Sequence, residues 1–323
     1  MDPRFAVPAP GVEPGVESQM SAVETTTAGE EQTPVKEPTP GEEQTPSAPA
    51  PGGPATWRPW TAPAALAAGI VLAAVGGLIV DIPAAVLFAV NLGSSSRLPG
   101  GLEIADTFVQ DIAFVGAVVI FAQLGGRALS AWQLGLRPAR LWPSVGAVLL
   151  TLVAFLLFTA IWAALVEADT KEELLKQLGT DQNAALLVAS AALTCVMAPI
   201  CEELLFRGYI FAALSNWRGW FPAALLTGLL FGGVHAGSAP LVDLVPLAAL
   251  GFGLCVLYRW SGSLYPCIAA HVVNNSVAFG SMEGWGWETF LLMACALATV
   301  ALLALALRRA GVLTDPPPVL AAS

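Results

Sequence analysis

The segment CEELLFRGYIF, residues 201–211, places two adjacent carboxylates and one guanidinium inside an apolar stretch. Neighbouring residues of an α-helix project about 100° apart, so Glu202 and Glu203 cannot point in one direction. Glu203 and Arg207 are four residues apart with the acid first, which is the favourable order for an ion pair. The spacing therefore predicts a Glu203–Arg207 pair and leaves Glu202 as an unpaired carboxylate, suited to general acid or base chemistry.

Two further polar elements lie in apolar segments, and they contain the two histidines of the chain. His271 and Asn275 are four residues apart in AHVVNNS, and both side chains can donate hydrogen bonds to a developing oxyanion. His235 ends the motif FGGVH, where Gly232 and Gly233 permit close approach of helices. A carboxylate, a lone imidazole and an imidazole–carboxamide pair on three helices would together activate a water molecule and hold a tetrahedral intermediate.

The same residues also have structural interpretations. A membrane histidine can serve as an interhelical hydrogen-bonding group, a Glu–Arg pair as a buried ion pair, and Asn275 as a contact between helices. Proton-coupled transport through the acid and the imidazoles is a third interpretation. The joint occurrence of the three elements favours catalysis, but the residues alone leave all three interpretations open.

Composition indicates the medium in which these residues act. Of 323 residues, 56% are hydrophobic and only 12% charged, with a mean hydropathy of +0.69. A soluble domain carries about 25% charged residues, and apolar windows long enough to cross a bilayer recur along this chain. We therefore predict an all-α, polytopic membrane helix bundle of about eight transmembrane helices. Ionisable groups inside such a bundle are functional candidates because each costs about 2.5–3.5 kcal/mol to insert near a helix centre.

Hydropathy divides the chain into eight helical spans. The fourth span is too long for a simple crossing, and Pro199 within it predicts a kink or break, since proline lacks an N–H donor and its ring clashes with the preceding turn. Asp81 and Asp106 are expected near span ends, where solvation is easy. The predicted spans lie near 63–90, 105–126, 143–166, 184–214, 220–236, 240–259, 263–280 and 287–307.

The N-terminal part of the chain differs from the rest. Its first 55 residues contain nine acidic residues against two basic ones, which is most of the net charge of −10, and the hexapeptide GEEQTP occurs in them twice. We predict a disordered acidic tail over 1–60, a transmembrane domain over 61–310 with its motifs in 180–280, and a short C-terminal tail over 311–323. No basic patch indicates nucleic-acid binding.

The placement of arginine predicts the orientation in the cell membrane. Arg127, Arg137 and Arg140 lie in the loop between the second and third spans, whereas acidic residues predominate in the loops on the opposite side. Loops rich in Lys and Arg stay in the cytoplasm. With eight spans, both termini are then cytoplasmic.

The three motifs, taken in order, resemble those of the CAAX protease and bacteriocin-processing family of intramembrane glutamate proteases. That family shows EExxxR, FxxxH and HxxxN on successive membrane helices. Here the motifs are EELLFR (202–207), FGGVH (231–235) and HVVNN (271–275). The resemblance covers roughly residues 180–280, and it implies a membrane-embedded endopeptidase fold of about eight helices whose active site opens toward the cytoplasm.

The resemblance also implies roles for the motif residues. Glu202 would activate the hydrolytic water with the help of His235, while His271 and Asn275 would stabilise the oxyanion. Eukaryotic members of the family cut a terminal tripeptide from prenylated CAAX proteins, whereas bacterial-type members mostly lack such substrates. We therefore expect hydrolysis of a hydrophobic or lipid-anchored peptide in contact with membrane lipid.

The resemblance assigns Glu203 and Arg207 to supporting positions and implies neither a metal nor another cofactor. Zinc ligation is the first rival mechanism, although the HExxH motif is absent. Catalysis by Cys201, or by Cys267 four residues before His271, is the second, and an apolar setting disfavours a thiolate. A non-catalytic scaffold or a bacteriocin-immunity or regulatory protein of the same fold is the alternative function.

Overall fold

The computed structural model describes residues 57–88, 100–124, 129–166 and 178–313. Within these ranges the chain is helical and contains no β-strand, which confirms the predicted all-α class, and each of the eight predicted spans corresponds to one helix. Most of the predicted tails at 1–60 and 311–323, together with Arg127, lie outside the described residues. The helices are α1 (Thr61–Phe88), α2 (Gly100–Ala122), α3 (Leu141–Val166), α4 (Ala184–Arg218), α5 (Trp220–Val234), α6 (Leu244–Ser261), α7 (Leu264–Met282) and α8 (Glu288–Arg309).

The lengths and surfaces of these helices fit a multi-pass membrane protein. In the part of the chain that the structure describes, six segments are long and apolar enough to cross a bilayer, while α5 is a shorter apolar helix of 15 residues. Large apolar side chains point outward, as Leu150 and Leu165 do on α3 with 70% and 74% exposure. Such faces are stable where hydrocarbon surrounds them. The predicted orientation of the termini stays a prediction.

Helix α4 widens into a π-helix at two places along its length. Two π-helical stretches, Leu193–Met197 and Leu204–Phe211, flank the α-helical segment Ala198–Glu203. Pro199 lies at the start of that segment, directly after the first widened turn. A proline ring clashes with the carbonyl four residues earlier in a regular α-helix, and the wider π turn is one way in which a helix accommodates such an interruption. The predicted break at Pro199 is therefore a local change of helix type.

The second half of α4 lies in the interior of the bundle. Its side chains from Leu205 to Ile210 are fully buried, and this stretch packs against α1, α2, α5 and α7. The Tyr209 hydroxyl lies 2.8 Å from the Thr61 hydroxyl, which links α4 to the start of α1. The part of the EELLFR motif from Leu205 to Arg207 is thus enclosed by neighbouring helices.

Helices α5 and α6 approach each other at glycine residues. A Cβ atom added to Gly232 would lie 2.5 Å from the Leu244 carbonyl oxygen, and one added to Gly228 would lie 2.7 Å from the Ala248 carbonyl oxygen. A Cβ atom added to Gly233 would have no atom of a neighbouring element within 4 Å among the described residues. The prediction of close packing is therefore confirmed for Gly232 and wrong for Gly233, because residues four apart share a helix face whereas adjacent residues do not.

Candidate active site

The predicted ion pair between Glu203 and Arg207 is present in α4. Arg207 Nη1 donates to Glu203 Oε1 at 2.9 Å, and both side chains are completely buried. Arg207 Nη2 donates to the backbone carbonyl of Gly251 in α6 at 3.1 Å. The guanidinium carbon also lies 4.6 Å from the centre of the Phe231 ring in α5. A carboxylate, a carbonyl and an aromatic face thus compensate the buried cation together.

Glu203 does more than neutralise Arg207, which adds a second partner to the predicted Glu203–Arg207 pair. Its Oε1 atom also lies 2.9 Å from Nδ1 of the buried His271 in α7. A carboxylate can only accept, so Nδ1 is the donor. Sequence spacing could not show this contact because it joins residues 68 positions apart. Glu203 therefore fixes the orientation of the His271 ring, as carboxylate partners of imidazoles commonly do.

Glu202 faces the other nitrogen of the same imidazole. Its Oε2 atom lies 3.8 Å from His271 Nε2, which is too long for a hydrogen bond. Among the described residues this oxygen has no hydrogen-bond partner, and the Glu202 side chain is 13% exposed. As predicted, Arg207 pairs with Glu203 and not with Glu202. The imidazole lies between two carboxylates, bonded to one of them and separated from the other by a short gap.

His235 follows the last residue of α5 and is half-buried. Its Nδ1 atom lies 2.7 Å from the Phe231 carbonyl oxygen. Because a carbonyl only accepts, Nδ1 carries the hydrogen and the neutral ring keeps Nε2 as an acceptor. The centre of the Phe231 ring lies 5.0 Å from the His235 ring and 5.6 Å from the His271 ring. The two imidazoles therefore border the same phenyl group.

Asn275 lies one turn beyond His271 and contacts the first π-helical stretch of α4. Its Nδ2 atom donates to the Thr194 carbonyl oxygen at 2.9 Å, and its Oδ1 atom accepts from Asn274 Nδ2 at 3.2 Å. A carboxamide nitrogen carries two hydrogens, so the bond to Thr194 occupies one of them. The second hydrogen is the one that the predicted donor role of Asn275 would use.

The structure adds Asp111, a residue that the sequence analysis did not single out. Asp111 lies in α2, is completely buried, and interacts electrostatically with Glu202. Neither of its carboxyl oxygens has a hydrogen-bond partner among the described residues. An acid in the middle of the apolar run VQDIAFV was the signal in the sequence. By contrast, the half-buried Asp81 and Asp106 interact with each other where α1 packs on α2.

The two rival mechanisms are zinc ligation and catalysis by Cys201 or Cys267, and the structure shows the surroundings of the residues that each would need. Within the described ranges, no group of three or more His, Cys, Asp or Glu side chains is arranged to hold a metal ion. The Cys267 thiol lies 3.5 Å from the Leu254 carbonyl oxygen and 3.8 Å from that of Ser263. Cys201 is buried in the first half of α4. The Nδ1 atom of His271 is hydrogen-bonded to Glu203 and not to either thiol.

Fold and site together define a multi-pass membrane protein with a buried glutamate–histidine cluster. Residues 184–277 match the family model described as Type II CAAX prenyl endopeptidase Rce1-like. The match confirms the resemblance to the CAAX protease and bacteriocin-processing family for the segment running from the start of α4 into α7. This segment contains all six site residues predicted from the motifs.

A curated relative is similar over part of the same region. The Bacillus subtilis (strain 168) protein named "Putative membrane peptidase YdiL" is 36% identical over 81 residues. The alignment covers 25% of this chain and 32% of the relative, so the chain matches about a third of the relative's length. No solved structure matches the chain. The family match ends before α8 and leaves out α1, α2 and α3.

Proposed function

We propose that the protein is an intramembrane glutamate endopeptidase that hydrolyses a peptide bond in a hydrophobic or lipid-anchored peptide. The observation that carries the proposal is the 3.8 Å approach of Glu202 Oε2 to His271 Nε2, with His271 held by Glu203. It gives one carboxylate that is not paired with Arg207 and that lies beside an oriented imidazole. A carboxylate of this kind is suited to take a proton from water at the moment of attack.

The reaction follows the usual course of general-base hydrolysis. Glu202 accepts a proton from a water molecule as the water oxygen bonds to the carbonyl carbon of the scissile peptide. The resulting tetrahedral intermediate carries its negative charge on the former carbonyl oxygen. The protonated Glu202 then gives the proton to the amine nitrogen as the carbon–nitrogen bond breaks, which returns the carboxylate to its starting state and consumes one water molecule.

His271 and Asn275 supply the donors for the oxyanion in this proposal. A protonated His271 donates from both ring nitrogens, from Nδ1 to Glu203 and from Nε2 into the gap next to Glu202. The two carboxylates of α4 are then balanced by one guanidinium and one imidazolium. The second amide hydrogen of Asn275 is the further donor, and His235 Nε2 is the acceptor that helps to hold the water. Removal of one preorganised donor of this kind typically lowers kcat by about 100- to 1000-fold.

The substrate class follows from the position of the site. The cluster lies between helices of a membrane bundle, so a peptide reaches it from the lipid phase or from the membrane surface. The family description names a CAAX prenyl endopeptidase and the relative's name a membrane peptidase, and both names support a peptide as the substrate. We propose membrane lipid and a hydrophobic or lipid-anchored peptide as the partners of this chain.

The test is a cleavage assay with the full-length protein reconstituted in lipid vesicles. A library of hydrophobic peptides is incubated with the wild-type protein, with Glu202→Gln, and with the matched control Glu103→Gln, which changes a half-buried acid of α2 outside the motifs. We expect mass spectrometry to find products that require Glu202, survive Glu103→Gln and form in the presence of a metal chelator.

The outcomes of this assay separate the candidate functions. Full turnover by Glu202→Gln would show that Glu202 is not the base. Loss of all cleavage on chelation would contradict a metal-independent mechanism. A wild-type protein that cleaves nothing, while its cellular binding partners are unchanged by Glu202→Gln, would support the non-catalytic scaffold.

A further inference from the structure

Asp111 presents an energetic problem that the proposed mechanism leaves unexplained. An isolated ionised carboxylate in an apolar interior is strongly destabilised unless it is paired or hydrogen-bonded. Asp111 is 0% exposed, and its two oxygens lack hydrogen-bond partners among the described residues. Replacing it with an apolar side chain would remove that cost. The presence of an acid at this position therefore requires a reason other than stability.

The surroundings of Asp111 point to the water-activating carboxylate. Asp111 and Glu202 interact electrostatically across the contact between α2 and the first half of α4, and both also interact electrostatically with the thiol of Cys201. Glu202 Oε2 also lacks a hydrogen-bond partner among the described residues. Three unpartnered oxygens of two carboxyl groups thus occur on neighbouring helices, an arrangement that calls for a proton or a bridging water.

Two carboxyl groups that interact in a buried site do not both ionise, and one of them retains a proton. Asp111 is the more enclosed member, since Glu202 is 13% exposed and faces His271. A protonated Asp111 has an O–H donor, which an ionised carboxylate lacks. That donor can satisfy the free oxygen of Glu202, either directly or through one water molecule.

We propose that Asp111 is a positioning residue of the site: a neutral carboxylic acid on α2 that donates a hydrogen bond to Glu202, or to the water held by Glu202. Its proton stays in place during the reaction, so the Asp111–Glu202 pair carries a single negative charge before Glu202 takes the proton of the water and again after Glu202 releases it. The hydrogen bond aims the Glu202 carboxylate at the attacking water. This inference rests on the proposed function and adds to it a residue from a helix outside the family match.

The activity test compares two substitutions with opposite hydrogen-bonding capacity, using a peptide that the wild-type protein cleaves. Asp111→Leu removes the donor at similar volume, whereas Asp111→Asn keeps one. We expect Asp111→Leu to lower kcat about 100-fold with KM changed less than about twofold, and Asp111→Asn to keep activity within about tenfold of wild type. Asp106→Asn is the matched control on α2 and should leave kcat unchanged.

A stability measurement excludes a merely structural role. Replacing a buried unpaired polar group with an apolar one of similar size is neutral or stabilising. Asp111→Leu should therefore melt at or above the wild-type temperature while its kcat falls. A parallel fall of melting temperature and kcat would overturn the inference, and so would a wild-type kcat in Asp111→Leu. If Asp111→Leu does not fold, Asp111→Asn provides the test. The inference is overturned if the kcat of Asp111→Asn is as low as that of Glu202→Gln.

Infrared spectroscopy tests the retained proton without any substrate. At neutral pH the wild-type protein should show an infrared band from the C=O stretch of a protonated carboxyl group. This band should be missing in Asp111→Asn and present in Asp106→Asn. An unchanged band in Asp111→Asn would overturn the inference. If the wild-type protein cleaves no peptide but this band is lost in Asp111→Asn, the proposed function fails and the retained proton stands. If Glu202→Gln abolishes cleavage and Asp111→Leu keeps the wild-type kcat, the inference alone fails.

Discussion

Glu203 and His271, which are 68 positions apart, are joined by a hydrogen bond of 2.9 Å between Oε1 and Nδ1. The same Glu203 oxygen accepts from Arg207 at 2.9 Å. A single buried atom of α4 therefore holds a cation on its own helix and an imidazole on α7. Changes at Glu203 should affect the stability of the bundle and the geometry of the site at once.

A double-mutant cycle at Glu203 and Arg207 tests this coupling. Each single substitution, Glu203→Leu or Arg207→Leu, leaves one buried charge uncompensated and should reduce the free energy of unfolding by about 3–5 kcal/mol. The double substitution should recover most of this loss, because replacing a whole buried pair with apolar residues is often neutral. Thermal or denaturant unfolding in detergent micelles measures the three values, and additive losses would contradict the coupling. Cleavage should remain absent in the double variant because His271 loses its anchor.

Alanine at two adjacent glycines of α5 should have opposite effects. In Gly232→Ala the new methyl group would meet the Leu244 carbonyl oxygen at 2.5 Å, so α5 and α6 must separate. Overpacking of this kind should lower the free energy of unfolding by about 1–3 kcal/mol. The carbonyl of Gly251 on α6 would then move away from Arg207, and cleavage should fall.

Gly233→Ala is the matched control for that substitution, because the space around its added Cβ is open. It should leave cleavage unchanged and raise stability by up to about 1 kcal/mol through helix propensity. Melting temperatures and turnover of the two variants check both expectations. Equal losses in the two variants would show that close packing at Gly232 is not the cause.

Substitution of Asn275 should affect catalysis more than substitution of its neighbour. Asn275→Leu removes the oxyanion donor and leaves the Thr194 carbonyl without the bond it now accepts. We expect about 1–3 kcal/mol lower stability and a kcat about 100- to 1000-fold lower. Asn274→Leu removes the hydrogen bond to Asn275 Oδ1, and its kcat should stay within about tenfold of wild type. Kinetics with one cleaved peptide distinguish the two, and a larger effect at Asn274 would argue against the oxyanion role of Asn275.

Cysteine labelling tests the predicted orientation. Arg140 and Trp287 are exposed and lie in loops predicted to be on opposite sides of the membrane. In a chain whose exposed Cys295 is replaced by Ala, Trp287→Cys should react with an impermeant maleimide in intact cells. Arg140→Cys should react only after the membrane is opened. The reverse pattern would place both termini outside the cytoplasm.

Local features of the chain were predictable because local rules govern them. The apolar windows gave eight helices, since a helix in lipid must be apolar and long enough for the bilayer. The Glu203–Arg207 pair followed from a four-residue spacing, which brings side chains together on a helix whatever surrounds it. Pro199 indicated an interruption, although not that its form would be a pair of π-helical stretches.

The sequence by itself therefore determined the medium, the eight helices of the described residues, the carboxylate at Glu202 that Arg207 does not pair with, and the motifs that match a peptidase family. The tertiary structure alone decided that His271 bonds to Glu203, that Gly228 and not Gly233 accompanies Gly232 at the helix contact, and that Asp111 joins the site. Each of these depends on how one helix is rotated and placed against another. That arrangement results from packing summed over many side chains, and no short spacing in the chain records it.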